Sequence, residues 1–121
     1  MSAEYIHFFL QLRDQIKLYH WQTRVYARHI ATDETLKKLE ESIDSFVEVY
    51  IGQFGRPKIS GKNATITIQN LSEAGASRVI KAAMKYIIAM HRPLQQHTDL
   101  INILDEMLSE LGQLLYLFSL H

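Results

Sequence analysis

Residues 19–48, YHWQTRVYARHIATDETLKKLEESIDSFVE, decide how this chain is read. They hold His20 and His29, the only tryptophan (Trp21), Arg24 and Arg28, and Asp44 and Glu48 one helical turn apart. Apolar positions on either side recur with the 3.6-residue period of amphipathic helices, so the flanks read as scaffold for this segment.

Upstream, the period predicts a helix from Ser2 or Ala3 to about Tyr26 or Arg28. Tyr5, Phe9, Leu12, Ile16, Tyr19, Thr23 and Tyr26 share one stripe facing the core. Trp21 falls almost opposite the centre of that stripe, and Leu10, Leu18 and Val25 also lie off it. An outward indole is costly in water, which points to a second buried face, under the long loop or against another subunit. Downstream, Ala31-Thr32-Asp33-Glu34 reads as a helix start, with Thr32 as N-cap and two acids at the positive end of the helix dipole. The second helix then runs from about Asp33 to Ile51 on a stripe of Leu36, Leu39, Ile43, Phe46, Val47 and Tyr50. Asp44 and Glu48 sit toward the edge of this stripe, where a groove or an interface can use them.

Gly52 to Asn70 is rich in glycine, and Ala64-Thr65-Ile66-Thr67-Ile68 alternates like a short extended segment. A connection of this length can span a helix about 30 Å long and return the next helix parallel to the second. A third helix is expected from an Asn70/Glu73 capping-box-like pair, with Ser72 as the alternative cap, to about His91. After Pro93, Thr98 caps a strongly apolar last helix carrying Leu100, Leu104, Leu111 and Phe118. The expected fold is all-α: a four-helix bundle with one long crossover between the second and third helices, as a single domain over residues 1–121.

Composition narrows the function. Of 121 residues, 47% are hydrophobic and 21% charged, and 13 Lys and Arg balance 13 Asp and Glu. Zero formal charge with no basic arm argues against coating nucleic acid. The lack of cysteine excludes disulfides, thiolate catalysis and cysteine-ligated metals. No apolar run approaches the ~20 residues of a membrane span, and the start does not read as a signal peptide, so a cytoplasmic, intracellular protein is expected. There is no nucleophile elbow and no phosphate-binding glycine loop. Arg78, Lys81 and Lys85 make a modest basic edge.

Histidine and carboxylate without cysteine suit iron, with manganese or zinc as substitutes. Asp44-x-x-x-Glu48 could share or divide a metal, although such pairs are common on solvated helix faces. Glu41 lies on the same side as a further acid. His20 and His29, nine residues apart, would face opposite ways on an unbroken helix. They can share a site only if the helix breaks before His29 or if they act through different subunits. Glu4-x-x-His7 occurs once, whereas buried di-iron bundles need such a motif on two helices, so a centre inside one subunit is not expected. His91 and His97 are read as satisfied surface residues.

Taken together, Tyr19-His20-Trp21 with Arg24, then His29, then Asp44-Ser-Phe-Val-Glu48 resemble the first two helices of the Dps-like mini-ferritins. The last helix, Thr98 to Leu120, is similar to that family's final helix. The step from His29 to Asp44 agrees with the family pattern, whereas the step from His20 to His29 is three residues shorter. The resemblance implies ferritin-like connectivity and an iron site between subunits. His20 and His29 of one chain would bind iron(II) with Asp44 and Glu48 of its two-fold partner, and Glu41, Trp21 and Arg24 would stand around them. It further implies oxidation by peroxide or oxygen, a homodimer at least, and a hollow storage shell as the larger assembly. The chain is shorter than typical members and lacks the basic tail of those that bind DNA. The alternative is a structural or interaction protein that keeps the bundle and dimer but has no metal centre.

Overall fold

The computed structural model describes residues 2–120. Among them are four α-helices: α1 (Ser2–Gln22), α2 (Tyr26–Phe54), α3 (Glu73–Met90) and α4 (Thr98–Phe118). A single 3-10 turn, Gly61–Ala64, lies in the long connection between α2 and α3. The all-α bundle and the long connection agree with the sequence reading, but the helix boundaries differ at the segment that matters most.

The first helix stops at Gln22 and the second starts at Tyr26, seven residues earlier than Asp33. No glycine or proline stands at the break. Instead the Thr23 hydroxyl oxygen accepts from the Val25 amide at 3.2 Å while the hydroxyl donates to the Glu73 carboxylate at 2.9 Å. A threonine offering its own side chain to nearby backbone competes with the helix ladder, and here a long-range partner fixes that choice. Thr32 is therefore not a cap. It is fully buried inside α2, and its hydroxyl donates to the Arg28 carbonyl at 2.7 Å. Tyr26, expected on the core stripe, is 76% exposed because the stripe ends with α1. At the far end α2 runs on to Phe54, and Gly55 closes it with φ 87°, a left-handed conformation that glycine adopts without steric cost.

The core follows the expected stripes. Phe9, Leu12, Ile16 and Tyr19 of α1 meet Leu36, Leu39, Ile43 and Phe46 of α2, and Ile80, Ala83 and Ile87 of α3. The apolar α4 buries Leu100, Leu104, Met107, Leu111, Leu114 and Phe118. Close backbone packing joins α1 to α2, α2 to α4 and α4 to α3. The remaining side, between α1 and α3, is more open. It holds a cleft of about 340 Å³ lined by Phe8, Leu12, Val79, Ala82 and Tyr86, with Thr67 at its rim.

The long connection between α2 and α3 lies along this open side. His7 Nε2 donates to the Thr65 carbonyl at 2.8 Å, and the Thr67 amide donates to Gln11 Oε1 at 3.0 Å. Buried Gln15 takes both backbone groups of Gln69, receiving its amide at 2.9 Å and donating to its carbonyl at 2.8 Å. The spacing explains the fit. Four helical residues advance about 6 Å and two extended residues about 6.6 Å, so side chains at 7, 11 and 15 keep step with 65, 67 and 69.

At α3 the choice between caps is settled for Ser72, whose hydroxyl accepts from the Gly75 amide at 3.0 Å. Asn70 instead accepts from the Gln22 side chain. Glu73 turns inward, taking hydrogen bonds from the hydroxyls of Tyr19 and Thr23. At α4, Thr98 is already helical and gives no cap, while Asp99 Oδ1 accepts from the Leu100 amide.

Candidate functional site

The early break in the helix brings His20 and His29 together. Their rings stack with centroids 4.1 Å apart and planes 12° from parallel. His20 Nδ1 donates to the His29 carbonyl at 2.8 Å, and His29 Nδ1 donates to the His20 carbonyl at 2.9 Å. Thr32 Oγ1 lies 3.0 Å from His20 Nδ1 and shares its proton. A carbonyl can only accept, so in the neutral form each ring holds its proton on Nδ1 and presents the Nε2 lone pair. His20 is buried, and that burial, the largest influence, lowers its pKa, with the neighbouring His29 and Lys17 acting in the same sense. A neutral imidazole anchored through one nitrogen to a carbonyl is how metal-binding histidines are usually held. The same bonds also splice the end of α1 to the start of α2, satisfying the carbonyl that the broken helix leaves at His20.

The carboxylates are elsewhere. Asp44, Glu48 and Glu41 are exposed on the outer face of α2. Among the described residues, no three His, Cys, Asp or Glu come together as a metal-binding group. Any metal held by the histidine pair therefore needs further ligands from a second chain or from solvent. Trp21 is 67% exposed, with Lys17 Nζ 5.3 Å from its ring centre, and Arg24 is exposed too. Around the break Val25, Tyr26 and Ile30 are also exposed, so the histidines sit beside an uncovered apolar cluster.

Arg28, to which the sequence assigns no role, is the hub of this end of the bundle. Its guanidinium donates to the Tyr19 hydroxyl at 2.9 Å, the Glu73 carbonyl at 2.7 Å and the Phe118 carbonyl at 3.2 Å. It also lies over the Phe118 ring, 4.3 Å from its centre. One side chain thus ties α2 to the other three helices. Its sequence signal is faint, an arginine one residue before His29.

The other histidines among the described residues have structural partners. His7 holds the long connection through the Thr65 carbonyl. His91 bridges α3 and α4, donating to the Ile87 carbonyl at 2.9 Å and meeting Asp105 at 2.7 Å. His97 packs edge-on against Phe54.

Fold and site define an all-α four-helix-bundle protein, a class compatible with the mini-ferritin resemblance but wider than it. Residues 20–118 match a family of unknown function, DUF5856, and the chain belongs to that family. No curated protein and no solved structure matches it. No helix among the described residues is long and apolar enough to cross a membrane.

Proposed function

We propose that this protein is a self-associating helical bundle whose α1–α2 face is an interface between copies of the chain. The observation that carries this reading is the apolar cluster at the break. Trp21 and Tyr26 are 67% and 76% exposed, and Val25 and Ile30 flank them. An indole and a phenol left this open on either side of the break support a surface that a second copy covers. Light scattering of the full chain tests it. A dimer or larger particle is expected, reduced by the double substitution Trp21→Ser/Tyr26→Ser. A monomer at ~100 μM sinks the reading, because interfaces of standard size reach affinities tighter than that.

A second reading is favoured by the histidine tautomers. Here the same interface holds iron(II) as substrate, between the Nε2 atoms of His20 and His29 and the Asp44 and Glu48 carboxylates of a second copy. The ferritin-like connectivity this requires is supported by two contacts. Arg28 and Glu73 bring the starts of α2 and α3 to one end of the bundle, and Gln53 and Asp99 bring the end of α2 to the start of α4. Each of two iron(II) ions would give one electron to hydrogen peroxide, which takes up two protons and leaves as two waters. Carboxylates would neutralise the ions and the imidazoles complete their shell. Anaerobic iron(II) titration should then show stoichiometric binding that Asp44→Ala/Glu48→Ala abolishes. A dimer that binds no iron would leave only the interaction reading. In both readings the assembly is a homo-oligomer without nucleic acid.

A further inference from the structure

The charges are balanced overall but separated in space. From Gly55 to Met90, the long connection and α3 carry six Lys or Arg and a single acid, Glu73, whose carboxylate is turned inward to Tyr19 and Thr23. The outer face of α3 presents Arg78, Lys81 and Lys85, all exposed, with Ile88 57% exposed one turn further on. The last helix is the reverse, with four acids between Thr98 and Phe118 and no Lys or Arg. Its outward side shows Glu106, Ser109 and Gln113, and ends at Tyr116, 63% exposed. Glu110 stands beside them, bonded to Ser42 of α2 at 3.0 Å.

We propose that the outer face of α3 docks on the acidic side of α4 of a second copy, in a head-to-tail contact that links one chain to the next. The partner is another copy because the chain itself carries the complementary surface, and a net charge near zero leaves no long-range repulsion to oppose the approach. Each face pairs its charges with one exposed apolar anchor, Ile88 on the one and Tyr116 on the other. Within the chain Asp105 meets His91 and Lys38 lies near Glu110, while Glu106 adds a further negative charge beside Glu110. Burial raises the pKa of Glu110, and Glu106 and Glu41 add to the rise, against the Ser42 hydrogen bond and Lys38. A lysine arriving from outside relieves that crowding. The contact joins two different surfaces, so it repeats into a ring or a filament according to its rotation. It uses neither the histidine pair nor the apolar face at the break, and stands or falls separately from both proposed functions.

Sedimentation velocity of the full chain at two salt concentrations tests it. Charged contacts between exposed groups are screened over about 10 Å at 0.1 M salt and over about 3 Å at 1 M. The particle at ~20 mM salt should therefore have at least about twice the mass of the particle at ~500 mM, while any apolar dimer survives at both. Lys81→Glu/Lys85→Glu and Glu106→Lys/Ser109→Lys change only exposed positions, and circular dichroism checks that each remains helical. Each variant alone should keep its high-salt mass at low salt, and an equal mixture should recover the larger particle. A native mass that ignores salt, a charge-reversed variant whose mass still rises at low salt, or a mixture that fails to recover overturns the proposal.

Discussion

His20 and His29 each donate Nδ1–H to the backbone carbonyl of the other, at 2.8 and 2.9 Å, across a break that carries neither glycine nor proline. The pair is as much a splice as a site. His20→Ala removes one of two side-chain donors to the His29 carbonyl, the other being the Thr32 hydroxyl, and with it the contact with Thr32. We expect a loss of about 0.5–1.5 kcal/mol in urea unfolding, the usual net contribution of one hydrogen bond. His20→Ala and His29→Ala should be non-additive by at least about 0.5 kcal/mol in a double-mutant cycle. Additive losses would show that the stacking and reciprocal bonds contribute nothing as a unit.

Arg28→Ala should be among the more damaging single changes near the break, at about 2–4 kcal/mol, because it strips charged hydrogen bonds from two carbonyls and a phenol and a cation from the Phe118 ring. Arg28→Lys should recover little of this. A lysine ammonium is one point charge and cannot span the directions that the planar guanidinium serves. Thermal unfolding of the two variants decides it, and full rescue by lysine would reduce Arg28 to a simple charge.

Gln15 anchors the long connection between α2 and α3 at Gln69. Gln15→Ala leaves both backbone groups of Gln69 without their partner and should cost about 1–2 kcal/mol. The more specific readout is hydrogen exchange, which should speed up at the Gln69 amide while the α2 and α4 core amides keep their protection relative to global stability. Uniform acceleration throughout the chain would mean that the long connection unfolds only with the whole bundle.

His91 gives a pH dependence of definite sign. Burial alone would lower its pKa, but the hydrogen bond to Asp105 and the bonds to the Ile87 and Ile88 carbonyls outweigh it, and the pKa is raised above 6.5. The folded state therefore holds this proton more tightly than the unfolded chain. The stability it contributes is complete below about pH 6.5 and is lost as pH rises through the folded value. Asp105 is 59% exposed, so the effect should stay below about 1 kcal/mol. Asp105→Asn should flatten this part of the stability profile between pH 6 and 8, as read by urea unfolding. An unchanged slope would place the proton elsewhere.

Much of the fold was legible because burial follows period. The positions spaced to face inward, Phe9, Leu12 and Ile16, or Leu36, Leu39, Ile43 and Phe46, are the buried ones. The outward Trp21 could likewise be read from its phase, since an α-helix turns about 100° per residue whatever its neighbours do. The length of Gly52–Asn70 announced a long connection, whereas the alternating Ala64–Ile68 is only partly extended, since Ala64 closes the 3-10 turn and Thr65 begins extended backbone.

The sequence by itself thus determined the all-α bundle, its core faces and the list of possible ligands. The tertiary structure decided where α1 ends and what that does. Thr23 leaves the helix because Glu73, fifty residues away, accepts its hydroxyl, and Arg28 holds the new start of α2 against Phe118, ninety residues away. Local propensity cannot report such partners. They bring His20 and His29 ring to ring where an unbroken helix would have set them on opposite faces. The same packing leaves Asp44 and Glu48 exposed on the outer face of α2, and among the described residues no three His, Cys, Asp or Glu come together as a metal-binding group.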